Sequence, residues 1–206
     1  MDDGRSCVIS AFEGPGIDPP SLDDRDTPSG WICQNKDVMP KRAISAAVLV
    51  PLIDRGGGMT VLLTQRTSHL NSHAGQISFP GGKTEDDDSS PEETALRESK
   101  EEIGLPLDQV EILGRLGQRT TGSGFQVTPV VGLISGSVRF VANPSEVAKI
   151  FEMPLSFVID SANHKIETRL MEGLERKFYV LPYNGYYIWG LTARLLVALG
   201  NTLKQT

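Results

Sequence analysis

From Ser90 to Leu105 the chain marks out both the start and the stop of a helix, and this segment limits what can be built around it. Ser90 is a favourable N-cap, and Glu93 three residues later completes a capping box. Pro91 falls at the first helical position, where a missing N–H costs nothing. Gly104 supplies a left-handed stop. The punctuation predicts a helix over residues 91–105, about three and a half turns long.

The body of this helix is rich in carboxylates. Glu98 and Glu102 are spaced i, i+4, and Glu98 and Glu101 i, i+3, so all three project from one face. Like charges at this spacing repel, and the repulsion grows if the face is partly buried. A divalent cation converts that cost into attraction, and hard oxygen ligands suit Mg²⁺ or Mn²⁺. Ala95, Leu96, Ser99 and Ile103 offer a small apolar side for packing on a sheet. Taken alone, the cluster reads more readily as a solvated acidic helix with Arg97 and Lys100 as counter-charges. The preceding residues shift that balance. Phe79-Pro80-Gly81-Gly82 runs into Lys83-Thr84-Glu85-Asp86-Asp87-Asp88. A glycine pair permits backbone conformations and close approaches closed to other residues. Backbone N–H donors for phosphate oxygens beside acidic groups for metal are what diphosphate chemistry needs.

Around the helix the chain reads as alternating strands and helices. Ala46–Leu52 and Met59–Thr64 flank Arg55-Gly56-Gly57-Gly58 and predict a hairpin. A long loop, residues 65–82, then leads to the helix. Val110–Leu116 and Gln126–Ile134 are strands, Ser145–Phe151 is open between helix and strand, and Lys177–Leu181 with Tyr186–Trp189 form a closing pair. Leu195, Leu196, Leu199 and Leu203 have helical spacing within Thr192–Leu203. This order predicts one α/β domain with a mixed sheet over residues 43–206. Residues 1–42, rich in Pro, Gly and Asp, read as an extended arm in which Trp31 and Ile32 hint at burial.

With 206 residues, 39% of them hydrophobic, the chain can build a core of ordinary size. A net charge of −6 excludes a global basic field for nucleic acid. An anionic substrate must then be neutralised by metal or by a local basic patch. Cys7 and Cys33 have no partner at ligand spacing and read as reduced thiols. No apolar run reaches membrane-spanning length and no signal core follows Met1, so a cytoplasmic protein acting on a small molecule is expected.

Arg97-Glu98-Ser99-Lys100-Glu101-Glu102-Ile103-Gly104-Leu105 resembles the second half of the Nudix box, R-E-U-x-E-E-x-G-U with U bulky and apolar, except that Ser99 stands at U. The first half, G-x5-E-x7, departs: Gly82 to Arg97 is one residue longer, and the glutamate position falls at Asp88 or Ser89. Upstream, Leu62-Leu63-Thr64-Gln65-Arg66-Thr67, Gly75 and Phe79-Pro80-Gly81-Gly82 are similar to the signature of the coenzyme A diphosphatase branch, L-L-T-x-R-[SA]-x3-R-x3-G-x3-F-P-G-G. Thr67 replaces Ser or Ala there, and Asn71 replaces the second Arg. Phe125–Gly132, Ser145–Val147, Phe151–Leu155 and Trp189–Ala193 extend the likeness, which spans roughly residues 43–200.

The resemblance implies a Nudix-type α/β/α sandwich with a central mixed sheet. It implies metal-dependent hydrolysis of a diphosphate, in coenzyme A or its derivatives, to 3′,5′-ADP and 4′-phosphopantetheine. Glu98 and Glu102 would bind Mg²⁺ or Mn²⁺, and Glu101 would be a further ligand or orient water. Arg97 would hold the glutamates by an ion pair. Glu101 and Glu146, the latter in a Pro-Ser-Glu-Val loop, are the candidate general bases. Arg66, Gln76, Gly81 and Gly82 are the candidate substrate contacts, with a surface ion pair as the other reading of Arg66 and loop capping as that of Gln76. Asp88 stands either for the first box glutamate or for a solvated acidic loop. His69 and His73 lack a third ligand of matching type for zinc. Asn71 keeps open other substrates, such as ADP-ribose or NADH, and the altered box keeps open a non-catalytic ligand-binding regulator. A homodimer is left open as well.

Overall fold

The computed structural model describes residues 3–13, 43–69, 73–121, 123–171 and 174–205. Trp31, Ile32, Cys33 and Asn71 lie outside them. A short helix α1 (Asp3–Ser10) precedes the hairpin β1 (Ile44–Asp54) and β2 (Met59–Arg66). Next come β3 (Ile77–Ser78), β4 (Gly81–Lys83), helix α2 (Pro91–Ile103), β5 (Val110–Arg115), β6 (Arg119–Thr120) and β7 (Phe125–Ser135). The chain continues through β8 (Val147–Pro154), α3 (Leu155–Ile159), β9 (Lys165–Met171), β10 (Leu174–Tyr183), β11 (Tyr186–Trp189) and α4 (Gly190–Lys204). The larger sheet has the order β3-β2-β1-β7-β5, with β4 on β1, β6 on β7 and β8 on β2. Its β1–β7 pair is parallel from Ile44↔Phe125 to Asp54↔Ser135, and its other pairs are antiparallel. A smaller sheet has the order β11-β10-β9.

Strand alternation sorts the core into two layers. Ala47, Leu49 and Ile53 of β1, with Val130 and Ile134 of β7, pack beneath Ala95 and Ile103 of α2. Val50, Leu52, Val131 and Leu133 face the other way, onto α4 and α1, where Val8 and Ala11 are buried. Helices thus cover both faces of a mixed central sheet, the expected α/β/α sandwich. The open reading of Ser145–Phe151 resolves as a strand, β8, because its residues complete the ladder on β2.

The segment read as a loop, residues 65–82, carries two short strands that fill a fork in the sheet. β1 pairs with β2 only at its far end, Leu52–Asp54. Earlier along β1, Ala46–Val48 pair instead with β4. β2 beyond its β1 contacts takes β3 as its neighbour, through Thr64 and Gln65. Phe79 and Pro80 bridge the two strands, and Pro80 O accepts the Leu49 N–H at 2.8 Å. The fork sets Gly81 and Gly82 directly under α2.

Candidate functional site

Helix α2 begins and ends on its predicted caps. Ser90 Oγ accepts the Glu93 N–H at 3.2 Å, while Glu93 reaches back to the Ser89 N–H at 2.7 Å rather than to the cap itself. Gly104 is left-handed at φ 62° and donates to Lys100 O, ending the helix at Ile103 rather than at residue 105. The helix rolls so that Thr94, Ala95, Ser99, Glu102 and Ile103 are buried, while Leu96 is only half-buried. Ser99, at the position where a bulky apolar residue was expected, is fully buried, and its hydroxyl donates to Ala95 O at 2.6 Å.

That roll grades the three glutamates. Glu102 is 3% exposed. Glu98 is partly buried, with a side-chain exposure of 17%, whereas Glu101 turns outward at 55%. Burial, opposed by Arg66 and reinforced by the charges of Glu146 and Glu98, pushes the Glu102 carboxyl up to about 8. Burial raises Glu98 too, against the pull of Arg97, and the charges of Glu101 and Glu146 add to the rise. Glu146 is therefore brought to the same carboxylate face. Its loop is tied down at both ends. The Asn143 N–H donates to Glu102 O at 2.9 Å, and Glu146 O accepts the Thr67 N–H at 2.9 Å. Asn143 Oδ1 accepts from the Ser145 N–H and hydroxyl, at 3.1 and 2.7 Å, closing the turn that presents Glu146.

The glycine pair serves two ends. Gly81 has φ 150°, and a Cβ there would collide with the backbone of Ala47 and Val48, so this position belongs to the fork. Its N–H donates toward Glu102 Oε2 at 3.4 Å. A Cβ on Gly82 would stand 2.5 Å from the Glu98 carboxyl, so the lack of a side chain makes the cradle in which that carboxylate sits. Arg66 completes the wall. Its Nη1 lies 3.6 Å from Glu102 Oε1, and its Nε is buried with no hydrogen-bond partner among the described residues. Gln76 sits next to it through the Arg66 N–H, which donates to Gln76 O at 2.9 Å, but its side chain meets His73 Nδ1 at 2.9 Å. His69 turns to Ser145 O instead, so the two histidines do not converge.

Arg97 gathers carboxylates from the outer side. It donates to Asp88 through Nε at 3.1 Å and Nη2 at 3.0 Å, and to Glu98 through Nη1 at 3.0 Å; Glu101 and Glu85 lie 3.6 and 3.9 Å away. Asp88 also accepts from the Thr94 hydroxyl and the Glu85 N–H. Arg97, aided by the Glu85 N–H and the Thr94 hydroxyl, holds the Asp88 carboxyl down at about 2. Asp88 is thus not a solvated loop residue. Thr94 and Asn143 went unread in the sequence: the helical row of Thr94 and the Asn-Pro-Ser run were the available signals. Among the described residues no three His, Cys, Asp or Glu side chains stand close enough to make a ready cation cage. The three glutamates instead lean on arginines, Glu98 and Glu101 on Arg97 and Glu102 on Arg66.

Residues 43–158 match the NUDIX domain. The chain belongs to the Nudix family. It is 44% identical over 152 residues to the Uncharacterized Nudix hydrolase NudL of Yersinia pestis (strain Pestoides F), covering 73% of this chain and 75% of that one. NudL of Yersinia pseudotuberculosis serotype O:1b matches to the same extent. Among solved structures, a MutT/nudix family protein from Enterococcus faecalis aligns over 81% of this chain and 64% of its own, with a TM-score of 0.50 at 19% identity, a likeness of fold. As a Nudix hydrolase the protein acts on pyrophosphate bonds, in a nucleoside diphosphate derivative, and hydrolases of this family generally use divalent metal ions. Among the described residues no helix is long and apolar enough to cross a membrane.

Proposed function

We propose that this Nudix hydrolase cleaves the diphosphate of coenzyme A or its derivatives, releasing 3′,5′-ADP and 4′-phosphopantetheine or its acyl form. The observation that carries the reading is the juxtaposition of Arg66, whose buried Nε has no partner among the described residues, against Glu102, Glu98 and the glycine pair. A buried donor without a partner is costly unless an acceptor completes it, and an anionic diphosphate oxygen is such an acceptor. The narrower assignment to coenzyme A rests on the Leu62–Gly82 stretch that holds Arg66.

The carboxylate face fits a hard divalent cation. Glu98 and Glu102 carry oxygen donors and are partly or fully removed from water, and the charge of Glu98 adds to the rise of Glu102. In this reading they hold Mg²⁺ or Mn²⁺, with Glu101 as a further ligand or as the group that orients water. Bound there, the cation would lower the pKa of water and screen phosphate charge. Arg66 and the N–H groups of Gly81 and Gly82 bind the diphosphate, with Gln76 beside them. Glu146 or Glu101 takes the proton from the attacking water. Arg97 touches no substrate and keeps Glu98 turned into its cradle. Residues 43–206 form the catalytic unit, and helix α1 with the turn after it packs Val8 and Ala11 into its core.

The test is a substrate panel with purified protein and Mg²⁺ or Mn²⁺: coenzyme A, ADP-ribose, NADH and nucleoside triphosphates. Coenzyme A is expected to have the highest kcat/KM. Preference for any of the others sinks the assignment and favours the reading that Asn71 supports, a different nucleoside diphosphate derivative.

A further inference from the structure

Strand β3 is two residues long, and the backbone of Arg66 leans on it. The Arg66 N–H donates to the carbonyl of Gln76, the residue just before β3, at 2.9 Å. On its other side Arg66 meets β8, where the ladder is irregular between Gln65 and Arg66. So short a strand has few ladder bonds with which to hold its own register. It sets Ile77 opposite Gln65 and Ser78 opposite Thr64. Because Arg66 and Gln76 form a hydrogen-bonded pair, the alternation of an antiparallel ladder turns the Ile77 carbonyl away from β2. Ile77 is 7% exposed, so that carbonyl needs a partner from elsewhere in the protein. Thr192 provides it: its hydroxyl donates to Ile77 O at 2.9 Å, and the residue is itself 8% exposed.

Thr192 stands on a firm base. It lies in the first turn of α4, whose Ala193, Leu195, Leu196 and Leu199 are buried in the core. Gly190, left-handed at φ 66°, lets β11 turn directly into the helix. Trp189 before it sets its ring edge-on to Phe178 at 5.8 Å. The stretch Trp189–Ala193 thus holds one hydroxyl against the strand beside Arg66.

We propose that Thr192 is a positioning residue for diphosphate binding, acting through Ile77 and β3 on Arg66. The inference rests on the reading of Arg66 as a diphosphate contact. Without the hydroxyl, Ile77 O is a buried acceptor left unpaired, a cost that β3 relieves by shifting. Gln76 shifts with it, and the Arg66 backbone loses its regular partner. The glycine pair has a second anchor, since β4 pairs with β1 and Pro80 O accepts the Leu49 N–H. The loss therefore falls on Arg66.

Steady-state kinetics tests this on whichever substrate of the panel is turned over best, with thermal melting to verify folding. Thr192→Val removes the hydroxyl at nearly constant volume, and Thr192→Ala is the second variant should valine prevent folding. KM is expected to rise roughly tenfold with kcat changed by less than about twofold, the pattern of lost uniform binding. Thr192→Ser keeps the hydroxyl and should restore KM. In an Arg66→Ala background Thr192→Val should raise KM no further, because the path ends at Arg66. Amide hydrogen exchange at Arg66 should quicken in Thr192→Val, while that at Leu49 stays as in the parent. A normal KM in the folded valine or alanine variant overturns the proposal. So does a serine variant as impaired as valine, or KM effects that multiply in the double variant. An Arg66→Ala variant with unchanged KM overturns the diphosphate-contact reading itself, and this inference with it.

Discussion

Two carboxylates near helix α2 each face an arginine, and the outcomes are opposite. Asp88 accepts from Arg97, Thr94 and the Glu85 backbone, and is held down at about 2. Glu102 has Arg66 at 3.6 Å and one long N–H contact from Gly81, and burial pushes it up to about 8. A nearby arginine does not by itself decide the state of a carboxylate. The number of well-formed donors decides, set against the cost of desolvation. The Asp88 region is a finished clamp. The Glu102 region is short of positive charge, which the cation proposed there would supply.

The sharpest way to break this comparison is to neutralise each side. Glu102→Gln and Glu98→Gln are each expected to lower kcat on the order of 10²–10³-fold while leaving the protein folded. In the metal-free protein Glu102→Gln should not lower Tm, because it replaces a buried carboxyl that has few donors. Near-normal turnover in both variants would end the metal assignment. Gly82→Ala probes the cradle from the backbone. The obstructed atoms are the flexible tip of Glu98, so the fold should hold while the carboxylate shifts, and kcat should fall roughly 10–100-fold with little change in Tm. A Tm loss larger than the loss of activity would place Gly82 with Gly81 in the fork instead.

On the clamp side, Asp88→Ala is expected to cost roughly 1–3 kcal/mol in urea unfolding, since Arg97 and Thr94 lose their acceptor. A smaller fall in kcat should follow as Arg97 loosens its hold on Glu98. The pH dependence separates the two regions further. The Asp88 carboxyl is depressed below its unfolded value of about 4, so its contribution is present above that pH and lost as pH falls toward about 2. Glu102 is raised, so the metal-free fold is favoured below the unfolded value of about 4 and loses that stability as pH rises through about 8. Tm against pH should therefore fall at both ends. Asp88→Asn should remove the acid limb, and Glu102→Gln the alkaline one. The smallest effect is expected at the helix start, where Ser90→Ala should cost about 1 kcal/mol and leave kcat nearly unchanged.

The sequence made α2 legible because its caps act within one turn: Ser90 on Glu93, and Gly104 on Lys100. The hairpin, β5, β7 and α4 were legible through their apolar periods. The fork was not, because β3 and β4 are two and three residues long and exist only through pairings made elsewhere in the chain. β9 escaped notice because Ile166 and Leu170 alternate with charges without a buried side to mark them. Within the site, helical spacing put three glutamates on one face. It could not rank them, since the burial of Glu102 and the exposure of Glu101 depend on how the helix rolls on the sheet. The pairing of Asp88 with Arg97 spans a loop whose length departs from the box, and only the folded loop decides which acidic residue meets the guanidinium.

The parallel pair at the middle of the sheet has a consequence for how the molecule assembles. Ile44 is matched to Phe125, so the fork, α2 and β5 all lie within the loop that this pairing closes. Closing it demands chain entropy before the reward of contact arrives. Helix α2, capped locally, can be present early in folding, but its glutamates gain their buried setting only once β1 and β7 have met. Hydrogen exchange during refolding should then find the α2 amides protected before those of β7, with the carboxylate site among the last parts to mature.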